Sequence, residues 1–401
     1  MPLWIRWLMM AVMVLLAGAV VWKECGERGG HGFIRAEVFG GFEEPKITPP
    51  RKGEAPVFQE EIINKNQNLP FVHVCSIVEL AGGDLGALWY GGPYEYCHEN
   101  RIYFSTLKDG AWTAPLVIMT PEKVERDLGR PIRCLGNPLL IQSSDGSLRL
   151  LFVTIAMGRW SGAQINTCLS KDRGRNWSRV ERLTLSPLCN FSELVRNRPI
   201  PLTPPSARGG EGWCVPLYQE LIGKFPELLW LKQVDGRLIA EKSRMAGGCA
   251  TLQPSLIPIN KESAVALLRD WTQAKRVFMS RTKDGGQTWS RPVPTNLPNP
   301  DAGISGLLLS DGRLILAFND SIILREKLSL ALSDDLGASW KNLFLLEHDA
   351  DAVSSYPFMK RTSDGLIRMV YTHEGDDIKM LTINESWIAA QPGGKLEPSV
   401  R

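Results

Sequence analysis

The stretch Thr282-Lys-Asp-Gly-Gly-Gln-Thr-Trp289 decides the fold, because the same eight-residue phrase recurs in the chain. The other copies are Ser170-Lys-Asp-Arg-Gly-Arg-Asn-Trp177 and Ser333-Asp-Asp-Leu-Gly-Ala-Ser-Trp340. The shared Asp can accept hydrogen bonds from turn N–H groups, and the shared Gly permits a positive φ. The closing Trp buries a large ring against a neighbouring sheet. Three copies of one phrase indicate a repeat protein.

A second turn signal recurs, mostly between apolar runs that predict strands. It comprises Gly83-Asp84, Ser144-Asp145-Gly146, Gly209-Gly210, Asn260-Lys261, Ser310-Asp311-Gly312 and Ser363-Asp364-Gly365. The spacing of about 50–65 residues suits propeller blades of roughly 40–50 residues with some long loops. A β-sandwich, the competing all-β fold, would not repeat one phrase at this period. The sequence therefore predicts an all-β, six-bladed β-propeller, with a degenerate copy of the phrase at Ser105–Trp112 and with Trp177, Trp289 and Trp340 buried at equivalent outer positions.

The N-terminus carries an uncharged apolar run from Leu8 to Trp22. At ~1.5 Å per residue, a helix of this length is short for a ~30 Å bilayer core. Ala17-Gly-Ala19 resembles a signal-peptidase site, whereas Trp22 and Lys23 are typical of an interfacial anchor. We expect an N-terminal hydrophobic helix that is either a cleaved signal peptide or a short signal-anchor, with the anchor favoured.

The chain is expected to consist of four segments. Residues 1–23 form the signal or anchor, residues 24–69 a linker rich in Gly, Pro and charge, residues 70–390 the propeller, and residues 391–401 a tail. The protein is expected to be exported to the periplasm or another extracytoplasmic space, touching the membrane through its N-terminal segment only.

Composition limits the partners and cofactors. The 46 Lys and Arg nearly balance the 43 Asp and Glu, and no basic block is interleaved with aromatic residues, so no nucleic-acid partner is expected. The eight cysteines form no C-x-x-C pair and only five His occur, so neither a metal site nor a cofactor is expected. In an exported protein Cys75 and Cys97 could pair, and free buried thiols are the alternative.

One residue per blade is expected at the start of each innermost strand, nine residues before the turn signal, with a loop-length adjustment for two blades. These residues are His73, Asn137, Arg198, Gln253, Gly303 and Tyr356. Pro follows four of them, which suits the first residues of a strand. We expect this ring to surround the open end of the central channel, where it either lines a wet funnel or binds a ligand.

Two further segments, His73-Val-Cys-Ser-Ile-Val-Glu-Leu-Ala-Gly-Gly-Asp-Leu-Gly-Ala-Leu-Trp-Tyr-Gly-Gly92 and Leu297-Pro-Asn-Pro-Asp-Ala-Gly-Ile304, complete a resemblance. With the Trp phrase, they resemble the sialidase (neuraminidase) superfamily, in particular its bacterial predicted-neuraminidase-like branch with Asp-box (BNR) repeats. The resemblance covers roughly residues 70–387. It implies that the boxes lie on outer hairpins, away from the ligand.

The resemblance implies three arginines that hold a sugar carboxylate, since a guanidinium fork matches a carboxylate and stays charged. Arg325 stands eight residues before Ser333, as the family's third arginine does before its box. Arg269 and Arg276 both lie near the position of the second. His73 stands where the first is expected, and it would need a raised pKa to bind an anion at pH 7.

The resemblance also implies catalytic residues. Tyr356 matches the nucleophile, because sialidases use a tyrosine where most glycosidases use one of two paired carboxylates, and Glu95 matches the acid/base position by type. Gln253 replaces the Glu that draws the proton from the phenol, so Tyr356 is expected to keep a pKa near ~10. Glu220, Glu374 and Asp301 are candidate substitutes for that base, and each is more often a solvated surface carboxylate.

These matches to and departures from the family's residues are compatible with two functions. The first is a sialidase-like exo-glycosidase that hydrolyses a terminal acidic sugar, sialic acid or a related one, from a glycan. The alternative is a non-catalytic carbohydrate-binding propeller tethered at the cell envelope. We expect Arg325 and Tyr356 to share one central cleft. If no carboxylate reaches the Tyr356 hydroxyl, we expect Tyr356 to bind or transfer protons, with an inverting reaction through Glu95 and a second carboxylate ~6.5–9.5 Å away, or no reaction.

Overall fold

The sequence repeat corresponds to six antiparallel sheets. A computed structural model describes residues 4–5, 7–13, 15–16, 38–65, 67–186, 190–203, 209–247, 250–349 and 352–391 of the 401-residue chain. Six separate sheets of four to six strands account for the strands of this part of the chain. The predicted all-β, six-bladed β-propeller is confirmed.

Two short strands precede the first blade, β1 (Gly41–Phe42) and β2 (Phe58–Ile62). The strands of blades one to three follow in chain order: β3 (Phe71–Glu79), β4 (Leu85–Gly92), β5 (Arg101–Lys108), β6 (Ala111–Trp112) and β7 (Leu116–Met119); β8 (Cys134–Gln142), β9 (Leu148–Ile155), β10 (Ala163–Ser170) and β11 (Glu181–Arg182); β12 (Leu194–Val195), β13 (Ile200–Thr203), β14 (Glu211–Gln219), β15 (Phe225–Val234) and β16 (Arg237–Arg244). Helix α1 (Pro121–Leu128) connects the first two blades.

Blades four to six are more regular. Their strands are β17 (Thr251–Pro258), β18 (Ala264–Asp270), β19 (Arg276–Thr282) and β20 (Val293–Pro298); β21 (Ser305–Leu308), β22 (Leu314–Asn319), β23 (Lys327–Ser333) and β24 (Lys341–His348); β25 (Ser355–Arg361), β26 (Ile367–His373) and β27 (Asp377–Ile383). A short helix, α2 (Glu385–Ala390), follows the last strand, and its first turn is capped by the Asn384 side chain, which accepts a hydrogen bond from the Trp387 N–H.

The innermost strands, which are β3, β8, the interrupted pair β12–β13, β17, β21 and β25, surround the central channel. Their first residues meet at one end, which we call the upper mouth and which contains His73, Gln253 and Tyr356. Their last residues meet at the other end, the lower mouth, which contains Glu79 and Lys360. The blades pack on one another through buried apolar residues such as Trp89, Leu151 and Val215.

The Trp phrase forms the turn between the third and fourth strands of its blade. In the second copy the Asp284 carboxylate accepts hydrogen bonds from the Thr288 N–H at 2.9 Å and from the Thr282 hydroxyl at 2.7 Å. Gly286 has φ 87°, and its carbonyl accepts a hydrogen bond from the Trp289 indole. The other two copies repeat this pattern, with the indole N–H of each Trp bonded to the carbonyl of its phrase's Gly. The mechanical roles assigned to Asp and Gly are confirmed.

The three Trp rings are not equally covered. Trp289 and Trp340 are buried, as predicted, whereas Trp177 is only partly buried. All three lie at equivalent turns on the outer part of the blade, away from the upper mouth.

The propeller closes through the N-terminal part of the chain. Strand β2 pairs antiparallel with β27, from Phe58 opposite Ile383 to Ile62 opposite Lys379, and supplies the fourth strand of the last blade. The linker predicted for residues 24–69 therefore contains a strand of the propeller. This strand is not recognisable in the sequence, because the outermost strand of a blade is mostly exposed and needs no alternation of apolar and polar residues.

A strap formed by residues 38–47 is a second departure from the predicted linker. Its β1 strand pairs with β13, and the Phe42 N–H donates to the Lys261 carbonyl at 2.9 Å. Phe39 and Phe42 are completely buried in a cluster with Trp230. This strap ties the N-terminal segment to the third and fourth blades near the lower mouth.

We expect Phe42→Ala to lower the free energy of unfolding by about 3–5 kcal/mol, because the substitution leaves a cavity beside Trp230 in a packed core. Chemical denaturation of the purified protein measures this. The matched control is Phe58→Ala, whose ring is 37% exposed and whose loss should cost clearly less. A loss in Phe42→Ala no larger than a small loss in Phe58→Ala would show that the strap does not stabilise the fold.

The N-terminal segment is described only in part. Residues 4–5, 7–13 and 15–16 are helical, and the rest of the apolar run, including Ala17–Ala19 and Trp22, lies outside the described residues. No helix in the described ranges is long and apolar enough to cross a membrane. Cys75 and Cys97 are both buried free thiols, so they do not form the considered disulfide.

Candidate active site

Tyr356 occupies the centre of the upper mouth because of a bulge in its strand. The register between β25 and β26 shifts between Ser355 and Phe358, and Tyr356 has φ 58°. Asn137 and Gln253 sit at equivalent bulges with φ 46° and 50°. Each of these three residues precedes a Pro. A left-handed backbone at a non-Gly residue costs roughly 1–3 kcal/mol, and such bulges commonly re-aim a side chain beside a functional site.

Three guanidinium groups surround the Tyr356 ring. Arg325 Nη1 donates to the phenol oxygen at 3.2 Å, and Arg269 Nη1 donates to it at 3.4 Å. The guanidinium carbons of Arg196, Arg269 and Arg325 lie 5.2, 5.9 and 5.1 Å from the ring centroid. Because the three arginines come from three different blades, only the closed propeller brings them together.

Two of these arginines are positioned by Asp301, which lies in the loop between β20 and β21. Its carboxylate accepts a hydrogen bond from Arg269 Nε at 2.6 Å, and its carbonyl accepts one from Arg325 Nη2 at 2.6 Å. Gln253 Oε1 also accepts from Arg269 Nη1, at 3.1 Å. Asp301 therefore neutralises one charge and fixes two side chains.

Arg196 is positioned without any carboxylate. Its guanidinium donates to the Ile304 carbonyl at 2.9 Å, to the Pro357 carbonyl at 2.7 Å and to Asn197 Oδ1 at 2.6 Å. Burial lowers the pKa of Arg196 to about 10; Tyr356 and Tyr218 partly offset this effect, and the Arg269 charge adds to it. Arg196 therefore stays charged at neutral pH. The upper mouth thus keeps a net positive charge.

Tyr218 links two other residues of the predicted ring. Gln253 Nε2 donates to the Tyr218 hydroxyl at 3.0 Å, and Asn137 Nδ2 donates to it at 3.2 Å. This network holds the Gln253 amide with its oxygen towards Arg269. The Gln253 oxygen thus already accepts a hydrogen bond from the Arg269 cation. An amide also cannot serve as a general base.

His73 contacts the other side of Tyr356. Its ring lies 4.6 Å from the phenol ring in a T-shaped arrangement. Burial, followed by the charges of Arg325, Arg196 and Arg269, lowers the pKa of His73 to about 3. His73 is neutral at pH 7, so it does not supply the cation of the arginine that it replaces.

The pKa of Tyr356 is lower than that of an ordinary tyrosine. Burial alone would raise it, but the charges of Arg269 and Arg325, the hydrogen bond from Arg325 and the charge of Arg196 together outweigh burial. The expectation of a pKa near ~10 is therefore wrong, because no sequence count shows that three cations converge on one phenol.

Glu95 lies in the loop after β4, beside an aromatic wall. Burial raises the pKa of its carboxyl, while the Trp160 indole and the Arg325 and Arg159 charges partly offset this effect. Tyr96 packs against Trp160 with ring centroids 5.2 Å apart. A partly buried carboxyl with a raised pKa suits a proton donor, and the wall offers apolar ring faces to a ligand.

Comparison with known proteins identifies the fold family. The family model described as BNR repeat-like domain matches residues 83–369. The chain belongs to this family. None of the curated proteins searched matches it significantly.

Among solved structures, the Hadza microbial sialidase Hz136 is similar to this BNR propeller with a TM-score of 0.64 and 17% identity, over 82% of this chain and 69% of that one. A Dyadobacter fermentans protein of unknown function has a TM-score of 0.60 and 16% identity, over 82% of this chain and 100% of that one. The Ruminococcus gnavus intramolecular trans-sialidase, solved with oseltamivir carboxylate, has a TM-score of 0.59 and 12% identity, over 83% of this chain and 98% of that one. These likenesses confirm the predicted propeller fold, which this chain shares with the two sialidase structures.

Within the BNR propeller, two predicted site residues lie elsewhere. Arg198 lines the cavities of the lower mouth. The inner strand of this blade is interrupted between Val195, opposite Leu217, and Ile200, opposite Cys214, and Arg196 rather than Arg198 reaches Tyr356. Arg276 starts β19, the third strand of its blade, and donates to the Asn296 carbonyl on the outer side. Arg196, which sequence reasoning missed, joins Arg269 and Arg325 around the Tyr356 ring.

The carboxylates considered as substitutes for the missing Glu do not contact the phenol. Among the residues that the structure describes, the Tyr356 hydroxyl bonds only to Arg269 and Arg325. Asp301 contacts Arg269, Glu220 pairs with Lys224, and Glu374 is exposed beside His373. The described residues also contain no group of three or more His, Cys, Asp or Glu that could hold a metal ion.

Proposed function

We propose that the BNR propeller is a sialidase-like exo-glycosidase that hydrolyses a terminal acidic sugar, sialic acid or a related one, from a glycan at the upper mouth. The observation that supports this proposal is the convergence of Arg196, Arg269 and Arg325 on Tyr356. A carboxylate on the sugar would find guanidinium forks in a partly desolvated cleft, where such pairs are strong.

The charge balance supports a reactive phenol even with substrate bound. Of the three guanidinium charges, Asp301 neutralises one and a substrate carboxylate neutralises a second. One positive charge remains beside Tyr356 and favours its phenolate. Under this proposal the arginines replace the carboxylate base that Gln253 cannot supply.

The proposed reaction has two displacements. The Tyr356 oxygen bonds to the anomeric carbon while the glycosidic bond breaks, and Glu95 gives its proton to the departing oxygen. Water, deprotonated by Glu95, then displaces the phenolate and releases the sugar. The raised pKa of Glu95 keeps a larger fraction of its carboxyl protonated for the first step.

The alternative, a non-catalytic carbohydrate-binding propeller, is favoured by a different observation. Gln253 stands in place of a base and no described carboxylate contacts the Tyr356 hydroxyl. The same arginines would then only hold an acidic sugar. For either function we propose an exported protein, with the cleft facing extracytoplasmic glycans.

Incubation of the purified protein with aryl glycosides of sialic acid, of other acidic sugars and of neutral sugars tests the proposal. We expect aryl alcohol to be released only from the acidic glycosides. Calorimetric binding of the free acidic sugar without any release would support the binding module instead, and failure to bind would count against both.

We expect the turnover of an alkyl glycoside of the acidic sugar to fall as the pH rises through the pKa of Glu95, because the acid form must donate the proton. An ordinary glutamate has a pKa of ~4.3. Since burial raises the pKa of Glu95, turnover should fall at a pH above that value. A pH–rate profile measures it, and Glu95→Gln should abolish this limb along with most of the activity. A profile unchanged in Glu95→Gln would exclude Glu95 as the acid.

A further inference from the structure

The lower mouth contains two cations that the proposed chemistry does not use. Arg198 lies between β12 and β13, and Lys360 lies near the end of β25. Both are partly buried, and within the described chain neither side chain forms a hydrogen bond or an ion pair. Lys360 follows Tyr356 by four residues along one strand, so the two mouths are separated by about 13 Å at ~3.3 Å per residue.

These cations border two connected cavities. One, of about 270 Å³, is also lined by Phe358 and Trp213, and the other, of about 350 Å³, lies beneath the strap and against Ile257. Arg198 and Lys360 line both cavities. The larger cavity falls within the range of roughly 300–1,000 Å³ that is typical of small-molecule sites, and both cavities combine apolar side chains with a few placed charges.

The carboxylates that border the cavities have other partners. Glu79 accepts hydrogen bonds from the Ser363 N–H at 2.9 and 3.1 Å. Glu43 pairs with Lys46 at 3.3 Å and Glu44 is exposed. None of these three carboxylates forms an ion pair with Arg198 or Lys360, although the Glu79 charge acts on Lys360.

The nearby Arg361, by contrast, is neutralised by Glu385 at 2.5 Å. Burial, and then Arg361, lowers the pKa of Arg198 to about 10. Burial, and then Arg198, lowers the pKa of Lys360, and the Glu79 charge only partly offsets these effects. Both cations are therefore short of a counter-charge, which a ligand would supply.

We propose that the lower mouth binds a small organic anion, with its carboxylate or phosphate between Arg198 and Lys360 and its apolar body against Phe358 and Trp213. The guanidinium supplies a planar fork for two anion oxygens, and the ammonium supplies a point charge. This site is separate from the upper mouth and does not depend on the proposed hydrolysis.

Calorimetric titration of the full chain with phenyl phosphate and with benzoate tests this site. Arg325→Met serves as the background, so that the upper mouth contributes little to binding. We expect about one ligand per chain in this background, and at least about a tenfold loss of affinity on adding Arg198→Met or Lys360→Met. The stronger of the two probes identifies the preferred anionic group.

Lys360→Arg keeps the charge and should retain binding, which separates a lost charge from a damaged fold. In the otherwise native chain, Arg198→Met and Lys360→Met should leave turnover at the upper mouth unchanged. Unaltered affinity in both Met variants, or no binding of either probe to the background, would overturn the proposal without touching the proposed hydrolase.

Discussion

Tyr356→Phe should reduce the turnover of an acidic aryl glycoside by at least about 10³-fold, because it removes the oxygen that attacks the anomeric carbon. Binding of the free sugar should change by less than about tenfold, since the three guanidinium groups remain. Steady-state kinetics and calorimetry measure the two quantities. The matched control is Tyr103→Phe, which removes a hydroxyl from a ring stacked on Trp89, outside the cleft.

Tyr103→Phe should leave turnover near the native rate. Native turnover in Tyr356→Phe would exclude the nucleophile role and favour an inverting reaction through Glu95. An equal loss in both phenylalanine variants would point to a general effect on the fold rather than to chemistry.

Arg325→Met should weaken binding of the acidic sugar by about 100-fold or more. The substitution removes a charge and a donor fork from the cleft, and each charge-assisted hydrogen bond contributes roughly 1.5–3 kcal/mol. It should also move the pKa of Tyr356 upwards, because one of the cations that lower it is gone. Calorimetry with the free sugar measures the affinity.

Arg276→Met is the matched control for this substitution. Arg276 was, together with Arg269, a sequence candidate for the family's second arginine, but it lies on the outer side of its blade against the Asn296 carbonyl. Affinity should be unchanged in this variant. A similar loss in Arg276→Met, or native affinity in Arg325→Met, would contradict the placement of the sugar carboxylate.

The fold could be predicted because its signals are local. Each Trp phrase contains the Asp, Gly and Trp that its own turn needs, so the repeat is visible without knowledge of distant contacts. The strand β2 and the strap could not be predicted in the same way. β2 is a largely exposed outer strand, and Phe42 becomes a core residue only through contact with Trp230, which lies far from it in the sequence.

The meeting of Arg325 and Tyr356 could be predicted, because the position of each residue follows from the sequence of its own blade. Arg325 and Tyr356 keep fixed distances to landmarks of their own blades, and the structure brings them within a hydrogen bond of each other. Counting residues from the turn signal failed at Arg198, because the inner strand of the third blade is interrupted between Val195 and Ile200, and Arg196 rather than Arg198 enters the cleft. The pKa values of His73 and Tyr356 depend on charges from three blades, which no linear pattern contains.

The anomeric configuration of the first-released sugar, followed by proton NMR during hydrolysis, tests the central claim most directly. Attack by Tyr356 followed by attack of water predicts that the sugar is released with its original configuration. Release with the opposite configuration would contradict a covalent role for Tyr356, and the absence of any release from a bound acidic glycoside would contradict hydrolysis itself.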